Sequence, residues 1–524
     1  MSGRPPLALT VVAVATVALV LLPLAYLVLR AATGGADAWE VLGRRGTLRL
    51  VVDTALLVVA VVGAAVAVAV PLAWLVTRTD LPGARAWAVA GALPLVIPSY
   101  VAALALLGAF GPRGLLQDVL GRAFGVERLP EIYGFPGAFL ALTLSTYPYV
   151  FLLVAAALRS LDPSLEEASR GLGRTPWQTF AHVTLPALRP AIGAGSLLVA
   201  LYVLADFGAV SLMQYDALTR AVYLQYRALF DRDPAAVLAL VLVALTAVVL
   251  LLESRSRRGA GFHRATPGTA RPPARVELGR WRWPALAFCA LAVGLFLVVP
   301  LAVLVYWTAR GEHGVELPWA AAARSVGVAA LAAGVAAAAV LPLAVLAGRW
   351  RRPWTAALER AAYASNALPG IVIALALVFF GARYGGFLYQ TLVLLVFAYV
   401  VRFFPQGLAG ATSALRSVSP RVEEAARGLG RGPSAVFARV TLPLMRPGVL
   451  AGAALVFLST MKELPATLLL RPIGFETLAT EIWKYTSLAS YSRAAPPALL
   501  LIVVSAPLVW ALTARRGSEL GPPG

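Results

Sequence analysis

Residues 166–190 read EEASRGLGRTPWQTFAHVTLPALRP, and residues 423–447 read EEAARGLGRGPSAVFARVTLPLMRP. Aligned at an offset of 257, 17 of the 25 positions are identical, so the chain carries an internal repeat. Asp162-Pro163 and Ser419-Pro420 each put an N-cap residue before a proline at the first helical position. Glu166, Glu167, Glu423 and Glu424 then fall in the first turn, where the helix dipole favours anions. Gly171/Gly173 and Gly428/Gly430 break that helix. Thr175-Pro176 and Gly432-Pro433 open a second short one, expected to close near Pro186 and Pro443. Each copy reads as a helix–glycine–helix projection stiff enough to transmit force; the plainer alternative is an amphipathic interfacial hairpin.

What flanks these segments is apolar. Of 524 residues, 60% are hydrophobic and 13% charged, with a mean hydropathy of +0.79. Such a composition excludes a soluble enzyme, a secreted disulfide scaffold and a disordered tail. Runs of bilayer-spanning length recur near 7–29, 50–77, 86–110, 136–158, 191–213 and 236–252. A second series follows near 285–308, 325–347, 362–381, 387–404, 448–470 and 496–514. The stretch 7–29 is too long for a signal-peptide core and reads as an uncleaved first span. The expected architecture is an all-α polytopic membrane protein of about twelve transmembrane helices. Residues 1–252 form one half with its loop at 160–190, residues 253–283 an arginine-rich linker, and residues 284–524 a second half with its loop at 416–447. Two halves of the same orientation imply a pseudo-twofold axis along the membrane normal.

Charge fixes the orientation. The linker 253–283 holds eight arginines against Glu253 and Glu277, and loop 349–360 and Arg515-Arg516 fall on the same side. On the other side, 111–135 and 214–235 each hold three arginines and three acids. This asymmetry places the linker and both termini in the cytoplasm and accounts for the net charge of +20 without a nucleic-acid partner. A lone cysteine, Cys289, and three scattered histidines offer too few ligands for a metal cage, and no metal site is expected.

Ionisable residues inside spans are costly and therefore candidate functional groups. The repeat offset places Asp206 over Glu463 in the fifth span of each half, in roughly the outer third of the membrane. Tyr202 and Ser459 lie one turn towards the cytoplasm, and Lys462 and Tyr215 are near in sequence, giving a candidate translocation pathway. Lys462 could reach Asp206 across the axis. Equally, the two acids could pair with arginine or lysine, or cap backbone breaks at Gly208 and Pro465. No catalytic cluster appears, and neither Lys462 nor Lys484 lies in a G-x-x-x-x-G-K-[ST] context. The chain is expected to be no enzyme, with any ATP hydrolysis left to a partner.

The repeated loop resembles the EAA loop of permeases in binding-protein-dependent ABC importers. The pattern falls on Glu167-Ala168-Ser169, Gly173, Val183 and Leu185-Pro186, and on Glu424-Ala425-Ala426, Gly430, Val440 and Leu442-Pro443. The one departure is Ser169, where the pattern has alanine. The resemblance implies a type I importer permease in a bacterial inner membrane, fused from two halves, and makes these residues ATPase-coupling elements. It implies two copies of an ATPase subunit and an extracytoplasmic binding protein as partners. ATP and Mg2+ would belong to the ATPases, with no cofactor in this chain.

Two stretches, LADFGAVSLMQYDALTRAVYLQY (204–226) and MKELPATLLLRPIGFETLATEIWKY (461–485), are similar to segments of fused ferric-iron permeases. Fe3+ takes carboxylate and phenolate oxygen, which Asp206, Glu463, Tyr202 and Tyr215 supply. Related machinery for thiamine, phosphonate or another small solute remains an alternative. An ion-coupled secondary transporter is a more distant one, because the loop RTDLPGAR after the second span lacks the basic signature common there.

Overall fold

The computed structural model describes residues 5–111, 114–125, 130–227, 232–257, 275–311 and 317–518. Lipid cannot satisfy a free backbone N–H or C=O, so an apolar chain becomes helical, pairing those groups within itself. The first half comprises α1 (Leu7–Thr33), α2 (Arg45–Arg78), α3 (Ala84–Ala92), α4 (Ser99–Phe110) and α5 (Phe135–Ser160). It continues with α6 (Pro163–Gly171), α7 (Leu185–Ala205), α8 (Gly208–Leu212), α9 (Leu218–Arg227) and α10 (Arg232–Arg257). The second half comprises α11 (Arg282–Val293), α12 (Val299–Ala309), α13 (Trp319–Arg349), α14 (Pro353–Tyr363), α15 (Gly370–Tyr384) and α16 (Leu392–Ser417). It ends with α17 (Pro420–Gly428), α18 (Leu442–Met461), α19 (Pro465–Leu470), α20 (Leu478–Ser487) and α21 (Tyr491–Ser518). Among the described residues, eleven helices are long and apolar enough to cross a bilayer, or twelve if the pair Pro353–Ala367 and Gly370–Tyr384 is one bent span.

Four of the expected continuous spans are broken. The stretch 86–110 ends in a 3₁₀ turn and restarts at Ser99 after Pro98, and 362–381 restarts at Gly370 after Pro369 with a bend of 100°. Proline lacks the N–H the helix needs and pushes its predecessor out of helical geometry. The stretch 191–213 stops at Ala205 and resumes at Gly208, and 448–470 stops at Met461 and resumes at Pro465. Most of the arginine-rich linker (258–274) lies outside the described residues. Its end is pinned to the first half, where the Val276 N–H donates to the Arg78 carbonyl (2.8 Å) and the Leu278 N–H to Asp80 Oδ1 (2.9 Å).

Within each half the bundle is built on α2 against α5 and on α16 against α13 and α18. Small residues let α16 and α18 approach closely. A Cβ added at Gly410 would lie 2.8 Å from both the Gly448 carbonyl oxygen and the Gly452 Cα. Gly410→Val is therefore expected to cost about 1–3 kcal/mol or more, read as a lowered melting temperature of the purified chain.

Each half's first helix seats on the other half. Helix α1 packs on α13 and α15, with Tyr26 edge-on to Phe380 and Tyr384 at 5.7 and 6.1 Å between ring centroids. Reciprocally, α12 packs on α4, where Trp307 Nε1 donates to the Gly108 carbonyl (2.9 Å), and Phe296 lies 5.1 Å from Tyr147.

Candidate functional sites

The two repeated loops are built alike. Asp162 caps α6 by accepting from the Ser164 N–H (3.0 Å), whereas Ser419 makes no side-chain cap to α17. Gly173 and Gly430 turn the chain at φ +82° and +78°, a left-handed conformation that glycine adopts without strain. In the first loop Thr175 and Gln178 then form a reciprocal capping box. The second short helix does not close at Pro186 or Pro443 as expected. It passes through a π-turn (Phe180–Thr184, Phe437–Thr441) into α7 and α18, whose first turns contain those prolines. The wider π-turn ahead of each proline takes up its missing N–H, so loop and span are one continuous element.

The glutamate pair divides its labour. Glu166 and Glu423 are buried, whereas their neighbours Glu167 and Glu424 are exposed with Ala168 and Ala425. Glu166 accepts from Thr184 Oγ1 (2.9 Å) and lies 3.7 Å from Arg78 at the end of α2. Arg78 is 2% exposed and also donates to the Leu158 carbonyl at the end of α5 (2.7 Å). Glu423 repeats this: it accepts from Thr441 Oγ1 (2.9 Å) and pairs with Arg349 at the end of α13 (2.6 Å), which also donates to the Val418 carbonyl (3.3 Å). Each loop is thus clamped to two further helices of its own half.

The departure at Ser169 is compensated locally. Its hydroxyl meets that of Thr179 at 3.1 Å, and both are buried; the equivalent pair in the second loop is Ala426 and Val436. Val183, Leu185 and Pro186 are half-buried at the loop-to-span junction, as are Val440 and Leu442, while Pro443 is exposed. What remains outward is an apolar tip, Leu172 and Leu429, at 83% and 84% exposure. Each leucine is followed two residues on by an exposed arginine, Arg174 or Arg431, and preceded by the exposed glutamate of its helix, so the outward surface is apolar with charges of both signs around it.

A second constellation lies where the fifth spans break. Asp206 Oδ1 accepts from the Ala209 and Val210 N–H groups (2.9 and 3.3 Å), and Asp206 also accepts from the Ser99 hydroxyl. Glu463 accepts from the Ala466 N–H (3.1 Å) and the Thr467 N–H (3.2 Å). Both carboxylates therefore cap the short helices α8 and α19, and both are buried. Lys462 does not reach Asp206: its ammonium donates across the halves to the Leu95 carbonyl (2.7 Å). One layer below, Tyr202 packs on Tyr149 (6.0 Å between centroids), and the equivalent pair in the other half is Ser459 donating to Gln406 (2.9 Å). Tyr215 stands apart, its hydroxyl donating to the Asp53 carbonyl on α2 (2.7 Å).

Sequence reasoning missed Arg402, which lies 3.9 Å from Glu463. It sits mid-span three residues before Pro405, and an intramembrane arginine was the signal available. Arg78, Arg349, Thr184 and Thr441 were missed as well; the two threonines align at the repeat offset, the two arginines do not.

Two bent-span bundles with exchanged first helices, one clamped loop apiece and a polar layer between them define a two-half membrane transport component. The chain belongs to the family described as the binding-protein-dependent transport system inner membrane component, which matches residues 85–258 and again 340–514. It is 34% identical over 515 residues to the Fe(3+)-transport system permease protein FbpB 2 of Haemophilus influenzae, covering 96% of this chain and 97% of that one. A ferric transport system permease protein of Actinobacillus pleuropneumoniae is 23% identical over 79% of this chain and 63% of its own. The molybdenum transport system permease protein ModB of Escherichia coli is 32% identical over 32% of this chain.

Proposed function

We propose that this chain is the membrane-spanning permease of an ATP-driven ferric-iron importer. An extracytoplasmic binding protein delivers the iron, and two ATPase subunits dock on the two loops from the cytoplasm, where both termini lie. The observation that carries the cargo is the likeness, end to end in both chains, to a permease named for Fe(3+) transport. The docking reading is supported by the two copies of one geometry: a buried glutamate fastening each loop, beside an exposed glutamate and an exposed leucine. Alternating access then follows from the bent spans. When the loops move, the clamps carry α2, α5, α13 and α16 with them, opening or closing the polar layer between the halves.

The test is purification of the tagged chain from its own membranes in ADP–vanadate, counting the subunits that come with it and measuring iron in the captured binding protein. Two ATPases per chain and an iron-loaded binding protein are expected. An iron-free binding protein carrying an organic solute would move the cargo, and a chain that transports when purified alone would overturn ATP coupling.

A further inference from the structure

The polar layer is repeated in position but not in chemistry. Ser99 and Gly370 both follow the proline that breaks their span, Ser145 and Arg402 both stand three residues before Pro148 and Pro405, and Asp206 and Glu463 align at 257. In the first half the Ser99 hydroxyl donates to Asp206, while Ser145 satisfies itself on the Ala141 carbonyl of its own helix (2.9 Å). In the second half the serine is absent. A Cβ on Gly370 would lie 2.7 Å from Glu463 Oε1 and 2.8 Å from Arg402 Nη1, so the glycine makes the room in which the carboxylate and guanidinium meet. Arg402 has Glu463, Asp206 and Tyr202 all within Coulombic reach, and its Nε has no hydrogen-bond partner. In the same layer, Tyr100 is 3% exposed and its hydroxyl is also without a partner, within reach of Glu463 and Tyr202.

Two buried carboxylates facing one arginine from opposite halves would, without that cation, take up protons or ambient ions. We propose that Arg402 is a tethered counter-cation that holds the carboxylates of both halves between turnovers and sets a charge threshold for ions entering the pathway. An arginine keeps its charge at any physiological pH, so it is not removed by titration. A monovalent ion displacing it brings the same charge and gains nothing in Coulomb energy. A divalent ion gains one unit and a trivalent ion two, because the attraction scales with the product of the charges. The unpartnered phenol of Tyr100, with Tyr202, supplies oxygen to replace lost water on the ion that passes. The inference rests on the reading of the cargo as a trivalent metal.

The test uses the full chain in nanodiscs of zwitterionic lipid, with Tb3+ luminescence sensitised by the protein's aromatic residues and Ca2+ as competitor. In Arg402→Ser, which installs the residue of the equivalent position, Tb3+ and Ca2+ are both expected to bind at least about tenfold more tightly than in the parent, because neither then displaces a guanidinium. Arg402→Lys keeps the charge and is expected to stay close to the parent. Tb3+ and Ca2+ affinities unchanged in Arg402→Ser, or a lysine variant that behaves like the serine one, would overturn the proposal. Should the serine variant not survive purification, Arg402→Ser with Glu463→Gln removes the stranded charge, and the same gain in affinity over Glu463→Gln alone is read at Asp206. Iron uptake by the complete importer separates the two readings. If uptake proceeds while the competition data go against Arg402, this inference falls alone; if no iron is taken up, the cargo assignment falls and takes it along.

Discussion

Arg78→Gln combined with Arg349→Gln abolishes substrate uptake while the ATPases remain bound and hydrolyse ATP. That is the expected result of cutting both clamps and leaving both docking surfaces untouched. Each arginine is almost fully buried and is the cation that ties a loop glutamate to a bundle helix, at 3.7 Å for Glu166 and 2.6 Å for Glu423. Removing one member of a buried ion pair strands the other and costs about 3–5 kcal/mol. The i,i+4 arginines, Arg170 and Arg427 at 3.8 and 3.7 Å, are about a third exposed and recover little of that. The loop then gives way before the bundle does, and a stroke delivered to it is spent in bending. Uptake and ATP hydrolysis measured side by side in proteoliposomes check this. Uptake within twofold of the parent would show that the clamps carry no force. Glu166→Gln added to Arg78→Gln removes the stranded charge and restores folding but not coupling, which distinguishes lost transmission from lost structure.

Leu172→Asp with Leu429→Asp gives the complementary phenotype: a chain that inserts and folds normally but purifies without ATPase. The two leucines are the most exposed apolar residues of their loops, and at 83% and 84% exposure they bury too little for the change to be destabilising. On the docked surface an aspartate at each tip is desolvated without a partner, at a cost of about 3 kcal/mol per loop, or roughly a hundredfold in affinity each. Glu167→Lys with Glu424→Lys reverses the exposed charge beside those tips and abolishes uptake by the same route. Subunit ratios in the purified complex report both pairs. Retention of ATPase at the parental ratio in the leucine pair would remove these loops as the docking surface.

The repeat made the architecture legible, because duplication gives every motif an internal control. The loops, the pairing of Asp206 with Glu463 and most of the spans followed from it. What stayed hidden depends on the other bundle helices. The loops lie 257 residues apart but Arg78 and Arg349 lie 271 apart, since the first half has a longer segment after α4. A fixed offset therefore separates the clamp arginines from the glutamates they hold. Hydropathy averaged over a window likewise read through the breaks at Pro98 and Pro369, because residues on both sides are equally apolar and only backbone geometry differs. Lys462 was misassigned for a related reason: sequence gives its neighbours along the helix, not the Leu95 carbonyl exposed by a broken span in the other half.

The exchanged first helices set an order on biogenesis. Tyr26 is made about 350 residues before the rings it packs against, Phe380 and Tyr384. At roughly 5–20 residues per second, α1 waits on the order of 20–70 s in lipid before its seat exists. Its surface suits the wait, since only 22% of its most apolar window is buried even in the finished fold. Helices α11 and α12, by contrast, emerge when α3 and α4 are already in place. The ribosome thus delivers a half with an empty berth, and the later half both docks and closes it. A ribosome stalled between the halves leaves behind a membrane-inserted intermediate with α1 unseated, the form that membrane quality control meets first.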